Sequence, residues 1–205
     1  MSMQAVALMD SPSDWEQDLV WRMSQATPED TVCGVFFNGT LEAVRRLGDE
    51  SAVRRCLEAS GEEKFVDFFN YPIRSLLRML YCAAGLLAPR YGGGEAVLRE
   101  LGRQVNADYL ASPLGRAAKL LATGSPRRMM ETAPDIYRQT MNFGELSVVW
   151  TGLCSGRVVR RGDFLPAACH EGALEDMLSA MGGRRVEVKL EWVDGLDGGF
   201  AFSWE

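Results

Sequence analysis

Residues 146–204, LSVVWTGLCSGRVVRRGDFLPAACHEGALEDMLSAMGGRRVEVKLEWVDGLDGGFAFSW, carry the reading that decides the fold. Four runs within it, 146–153, 156–161, 185–193 and 200–204, are rich in Val, Trp and Phe and are joined by Gly-rich turns, which is the composition of strands. Between the second and third runs, Leu174, Met177, Leu178 and Met181 recur on one helical face. One helix is expected there, capped by Asp163 and ended by Gly182-Gly183.

Upstream of Asn142 the chain reads as helices. Residues 1–12 are weakly patterned and read as an arm or an edge strand. Ser13 is expected to cap a short helix with Trp15, Leu19 and Met23 on one face, ended by Pro28. The run 31–37 reads as a strand or a buried helix start. Asn38 is then expected to cap a helix reaching Leu47, and Asp49 another reaching Ala59, closed by Gly61. Phe65, Phe68 and Phe69 fall at helical spacing before Tyr71-Pro72 breaks the element. Residues 72–88 are apolar nearly all round and predict the central core helix. Its apolar run of about a dozen residues is shorter than the ~20 that a membrane span requires. Gly92-Gly93-Gly94 lacks the Lys-Ser/Thr of a phosphate loop and has no strand before it, so it reads as a linker. An amphipathic helix with Val97, Leu98, Leu101, Val105 and Tyr109 follows, and Pro113 and Ser125-Pro126 start two more.

Helices first and strands afterwards imply an α+β fold: an N-terminal helical layer packed on a C-terminal four-stranded antiparallel sheet, with one helix inserted between its two hairpins. Residues 1–30 are expected to form an arm and short helix. Residues 31–205 are expected to form a single α+β domain, with the helical layer at 31–142 and the sheet unit at 143–205. The 205 residues can bury a core without disulfide or metal.

The net charge of −6 hides a pattern. Residues 1–67 carry 6 basic and 13 acidic side chains, residues 68–161 carry 13 and 6, and residues 162–205 carry 3 and 9. The overall acidity argues against nucleic-acid binding, which needs clustered Lys and Arg. The basic middle offers instead a partner surface, for which Arg127, Arg128, Arg160 and Arg161 are the candidates. Five scattered cysteines without a C-x-x-C pair read as reduced thiols, and no metal site is expected from them. The N-terminus shows no secretory pattern, so a cytoplasmic protein is expected.

His170 is the only histidine and so the one candidate for acid/base catalysis near neutral pH. Its alternative is a first-turn helix residue bonded to backbone or to Glu171. No G-x-S-x-G elbow accompanies it. Aromatic and soft side chains are the better clue. Phe65, Phe68, Phe69, Tyr71, Tyr81, Tyr109, Met130, Tyr137 and Cys169 from helices are expected to meet Trp150 and Trp192 from the sheet around an apolar ligand pocket.

The segments GVFFNGTLEAVRRLGD, FVDFFNYPIRSLLRML, LRELGRQVNADYLASPLGRAAKLL and SPRRMMETAPDIYRQTMNFGE resemble a myxobacterial paralogous family of about 200 residues and of unknown function. The resemblance covers residues 31–204. More distantly, the layout around CHEGALEDML is similar to the superfamily that joins vinyl-reductase-like domains, heme–nitric-oxide sensors and TRAPP subunits. That likeness implies helices over a four-stranded antiparallel sheet, an apolar pocket between them, and a homodimer. The heme sensors' proximal His on a mid-chain helix and their Y-x-S-x-R motif have no counterpart here, so no cofactor is expected.

Three functions are compatible with these readings. The leading one is a non-catalytic sensor or regulatory domain that binds a small apolar molecule or a protein partner. The second is a tailoring enzyme of secondary metabolism, with His170 as acid/base and Glu171, Tyr137 or Arg138 nearby. The third is an interaction adaptor that uses the basic middle against an acidic partner.

Overall fold

The run 31–37 resolves into both of its possible readings, a strand that passes directly into a helix. In the computed structural model, which describes residues 12–205, α1 (Pro12–Gln25) precedes β1 (Thr31–Cys33), α2 (Gly34–Leu47), α3 (Glu50–Ser60) and β2 (Asn70–Pro72). The expected N-terminal arm lies outside the described residues except for Pro12, which opens α1. β1 and β2 pair antiparallel, with Val32 opposite Tyr71.

Two expectations fail here for one reason. α2 starts at Gly34, so Asn38 is inside the helix and does not cap it. The segment 65–69 is not helical, because its backbone serves α2. The Phe69 carbonyl accepts from Gly34 N at 2.7 Å and the Asp67 carbonyl from Val35 N at 3.1 Å, satisfying N–H groups that a helix start leaves open. Asn38 Nδ2 donates to Asp67 Oδ1 at 2.7 Å and holds the loop in place. Only glycine fits at position 34, since a Cβ would lie 2.1 Å from the Val66 carbonyl oxygen.

The local signals that follow act as read. Asp49 Oδ1 accepts from Ala52 N at 2.9 Å and caps α3. α4 (Ile73–Tyr91) is the central helix, with Ile73, Leu77, Met79 and Ala83 wholly inaccessible. α5 (Gly94–Ala111), α6 (Pro113–Leu121) and α7 (Pro126–Thr140) come next. Ser112 and Ser125 cap the last two through their hydroxyls, each with proline at the first turn.

The C-terminal stretch forms β3 (Glu145–Trp150), β4 (Ser155–Arg161), α8 (Ala167–Ala180), β5 (Glu187–Asp194) and β6 (Asp197–Ser203). The sheet is antiparallel throughout, in the order β3-β4-β6-β5. β6 begins three residues before Phe200. Gly198 and Gly199 are strand residues, and they leave room for side chains from both neighbouring strands: Arg160 lies over Gly198, and the Trp192 ring over Gly199. α8 starts at Ala167 behind Pro166, so Asp163 does not cap it and instead turns inward.

Two packed regions result. One lies among α1 to α5 around Phe37, Leu77 and Leu101. The other lies between the helices and the inner sheet face, around Met129, Leu178 and Phe200. Strand alternation sends Val158 and Arg160 of β4 inward and leaves Arg157 and Arg161 exposed.

Candidate functional site

α5 and α8 cross at an unusually short distance. A Cβ on Gly102 would sit 2.0 Å from the Cys169 carbonyl oxygen, and one on Gly172 would sit 1.9 Å from that of Arg99. Beside this crossing is a cavity of about 150 Å³, walled by α2, α4, α5, α7, α8 and β3. Phe36, Leu101, Val105, Leu146 and Met177 supply much of its apolar surface. Several polar residues on the wall have their hydrogen bonds spent elsewhere. Thr40 and Thr140 hydroxyls donate to carbonyls one turn back, each at 2.8 Å, and Asn106 Nδ2 donates to Asp176 Oδ2 at 2.8 Å.

The polar corner is formed by His170 and Tyr137 on the wall and Asp163 behind them. His170 Nε2 is 2.8 Å from Asp163 Oδ2, an ion-pair contact without the alignment of a full hydrogen bond. Among the described residues, the Tyr137 hydroxyl has no hydrogen-bond partner. Asp163 is wholly buried, and burial would raise its carboxyl. The charges of His170 and Arg160 and the Leu165 N–H outweigh that and hold it at about 2. Burial followed by the Asp163 charge pushes the Tyr137 phenol up. Burial also pushes Cys169 up to about 12, so its thiol is no nucleophile at neutral pH.

Two buried guanidiniums grip the loop that leads into α8. Arg160 Nη1 donates to the Leu165 carbonyl at 3.1 Å, and Arg22 Nη1 to the Phe164 carbonyl at 3.1 Å. Arg22 is itself paired with Asp18 at 2.8 Å and with the Tyr81 hydroxyl at 3.1 Å. The corner is therefore tied to α1 and α4.

Of the side chains expected to line the pocket, Tyr109, Tyr137 and Cys169 face this cavity, and His170, expected as an acid/base, stands on the same wall. The others lie elsewhere. Phe65 stacks on Phe37 and meets Tyr71 edge-on in the helical core, while Phe68 and Phe69 are 64% and 63% exposed. Tyr81 serves the Arg22 network, Met130 packs fully buried near the inner sheet face, and Trp192 covers Gly199. Trp150 sits under the Arg127 guanidinium, 4.0 Å from the ring centre.

The four arginines do not form one patch. Arg160 is 1% exposed and structural. Arg127 reaches the Leu153 carbonyl at the β3–β4 turn, and Arg128 bonds the Thr123 hydroxyl nearby. Arg161 sits opposite Glu145, at the other end of that hairpin. Glu171 is also not the histidine's partner; it accepts from Leu190 N and lies 3.6 Å from Arg99. Asp163, Phe36 and Arg22 were not among the expected site residues; Asp163 lies in the loop before α8, so no helical spacing links it to His170 in the sequence.

Residues 25–205 match the family described as "Protein of unknown function (DUF2378)". The chain belongs to that family. No curated protein matches it. Among solved structures, this member of the family is similar to the Fe(II) unliganded H-NOX protein from K. algicida. The two share 16% identity and a TM-score of 0.65, over 84% of this chain and 96% of that one. It is also similar to an oxygen-binding H-NOX domain related to soluble guanylate cyclases, at 10% identity and a TM-score of 0.62, over 84% and 94%. At such identities the likeness is one of fold alone. Among the described residues, no helix is long and apolar enough to cross a membrane.

Proposed function

We propose that the chain is a sensor or regulatory domain that binds one small apolar molecule in the cavity beside the α5–α8 crossing. The cavity carries this reading. Its volume of about 150 Å³ equals that of an engineered apolar cavity known to take benzene or xenon, roughly 150 Å³. His170 of α8 meets Asp163, whose loop Arg160 and Arg22 hold through the carbonyls of residues 163–165, and this gives occupancy a route to α1.

The H-NOX likeness raises heme, and these residues do not fit it. The cavity is below the roughly 300–1,000 Å³ of sites for drug-sized ligands. The single histidine holds its Nε2 against Asp163, and among the described residues no Lys or Arg lines the wall to meet propionates. The ligand proposed is therefore small and metal-free.

Thermal melts with benzene, toluene and xenon test this. A ligand at ten times its Kd adds about 1.4 kcal/mol of stability, which is roughly 3–5 °C for a chain of this size. Ala173→Leu, which fills the cavity from its α8 wall, is expected to abolish the shift. No shift in the wild-type protein with any of the three overturns the reading.

A second reading, catalysis, is favoured by the buried Asp163 behind His170, since a carboxylate partner orients an imidazole as a base. It requires turnover of a small ester such as p-nitrophenyl acetate that disappears in His170→Ala. Equal rates in the two proteins dismiss it.

A further inference from the structure

α3 lies antiparallel to α4. At one end Gly48 is beside Leu87, 3.0 Å from the position of a Cβ, and at the other Gly61 is beside Arg78. This register places Cys56 of α3 opposite Cys82 of α4. Cys82 packs against the buried cluster that contains Cys56. Cys56 is wholly buried, whereas Cys82 is half-buried and lines a second cavity of about 990 Å³ between α1 and α4, which shares no lining residue with the site described above.

We propose that Cys56 and Cys82 are a peroxide-oxidisable dithiol site, in which Cys82 is attacked through this cavity and Cys56 closes the disulfide. Interaction between the facing thiols lowers the Cys82 thiol and raises that of Cys56, while burial raises both. Arg55 also lowers both, and Glu58 opposes it at Cys82. The thiolate is the reactive form, so these groups favour attack at Cys82. The other thiols have different surroundings. Cys33 Sγ donates to the Asp67 carbonyl at 2.8 Å, Cys169 faces the smaller cavity with its thiol raised by burial, and Cys154 is exposed on a turn.

The chemistry balances with a hydroperoxide as oxidant. The Cys82 thiolate attacks one peroxide oxygen, the O–O bond breaks, and the departing oxygen takes a proton as water or alcohol. Cys82 is then a sulfenic acid, oxidised by two electrons. Cys56 attacks that sulfur, the S–S bond forms, and the hydroxyl leaves with the Cys56 proton as water. The result joins α3 to α4.

The test treats the full chain with stoichiometric hydrogen peroxide, quenches it, and maps its peptides without reduction. The expected result is a Cys56–Cys82 cross-linked pair, lighter by about 2 Da, formed before Cys154 is oxidised. In Cys56→Ser, Cys82 is expected to accumulate as a dimedone-trapped sulfenic acid. Should that variant not fold, iodoacetamide labelling of the wild-type protein at pH 7 decides the matter. Cys82 is expected to react about tenfold faster than an unperturbed thiol. Oxidation of Cys154 first, or a Cys82 that labels only after unfolding, overturns the proposal.

Discussion

Gly172→Ala is expected to destabilise the protein by about 3 kcal/mol, although alanine is the better helix former. In a helix interior the substitution alone favours folding by about 1 kcal/mol. At this crossing, however, the new Cβ would lie 1.9 Å from the Arg99 carbonyl oxygen and 2.8 Å from its carbon, where real Cβ contacts essentially never fall below 3.0 Å. Both obstacles are backbone, so no side chain can turn aside, and α5 and α8 must separate as units. The same crossing holds Gly102 at 2.0 Å from the Cys169 carbonyl. Overpacking costs about 1–3 kcal/mol and occasionally more; a rigid pair of helices places this case near 4, or about 3 net. Gly85→Ala is the control, in an exposed part of α4 with nothing within 4 Å of its Cβ. At roughly 2–4 °C per kcal/mol, Gly172→Ala should melt about 6–12 °C below wild type, and Gly85→Ala about 2–4 °C above it. Urea and thermal melts read both. A Gly172→Ala protein that melts at or above wild type refutes the reasoning.

Asp163 has a carboxyl held at about 2 against an ordinary 3.8, so its stabilisation is complete above the ordinary value and is lost as pH falls through the folded one. Urea melts between about pH 4 and pH 2 should show roughly 2 kcal/mol lost through this group. Asp163→Asn should give a shallower acid limb, and parallel limbs would contradict the assignment. Phe68→Ser and Phe69→Ser alter side chains that are mostly solvent-exposed. Each should leave the melting temperature within about 2 °C and the ligand-induced shift unchanged; a lost shift would place that loop at the binding site.

What the sequence by itself determined was helices first, then strand–strand–helix–strand–strand from β3 on, and several of the helix starts. Asp49, Ser112-Pro113 and Ser125-Pro126 act on N–H groups within three residues, and alternation along β3 to β6 needs only the period of a strand. Those are local rules, legible without knowing what the segment packs against. Only the tertiary structure decided that Asn38 clasps a loop, that Phe68 and Phe69 face water, and that Gly198-Gly199 is strand beneath Arg160 and Trp192. It likewise decided that Asp163 stands behind His170, and that Gly102 and Gly172 set the wall of a cavity. Each of these depends on which backbone or side chain arrives from a distant part of the chain. A composition that favours an apolar pocket is written along the sequence; the few ångströms between α5 and α8 that leave one open are written only in how the helices cross.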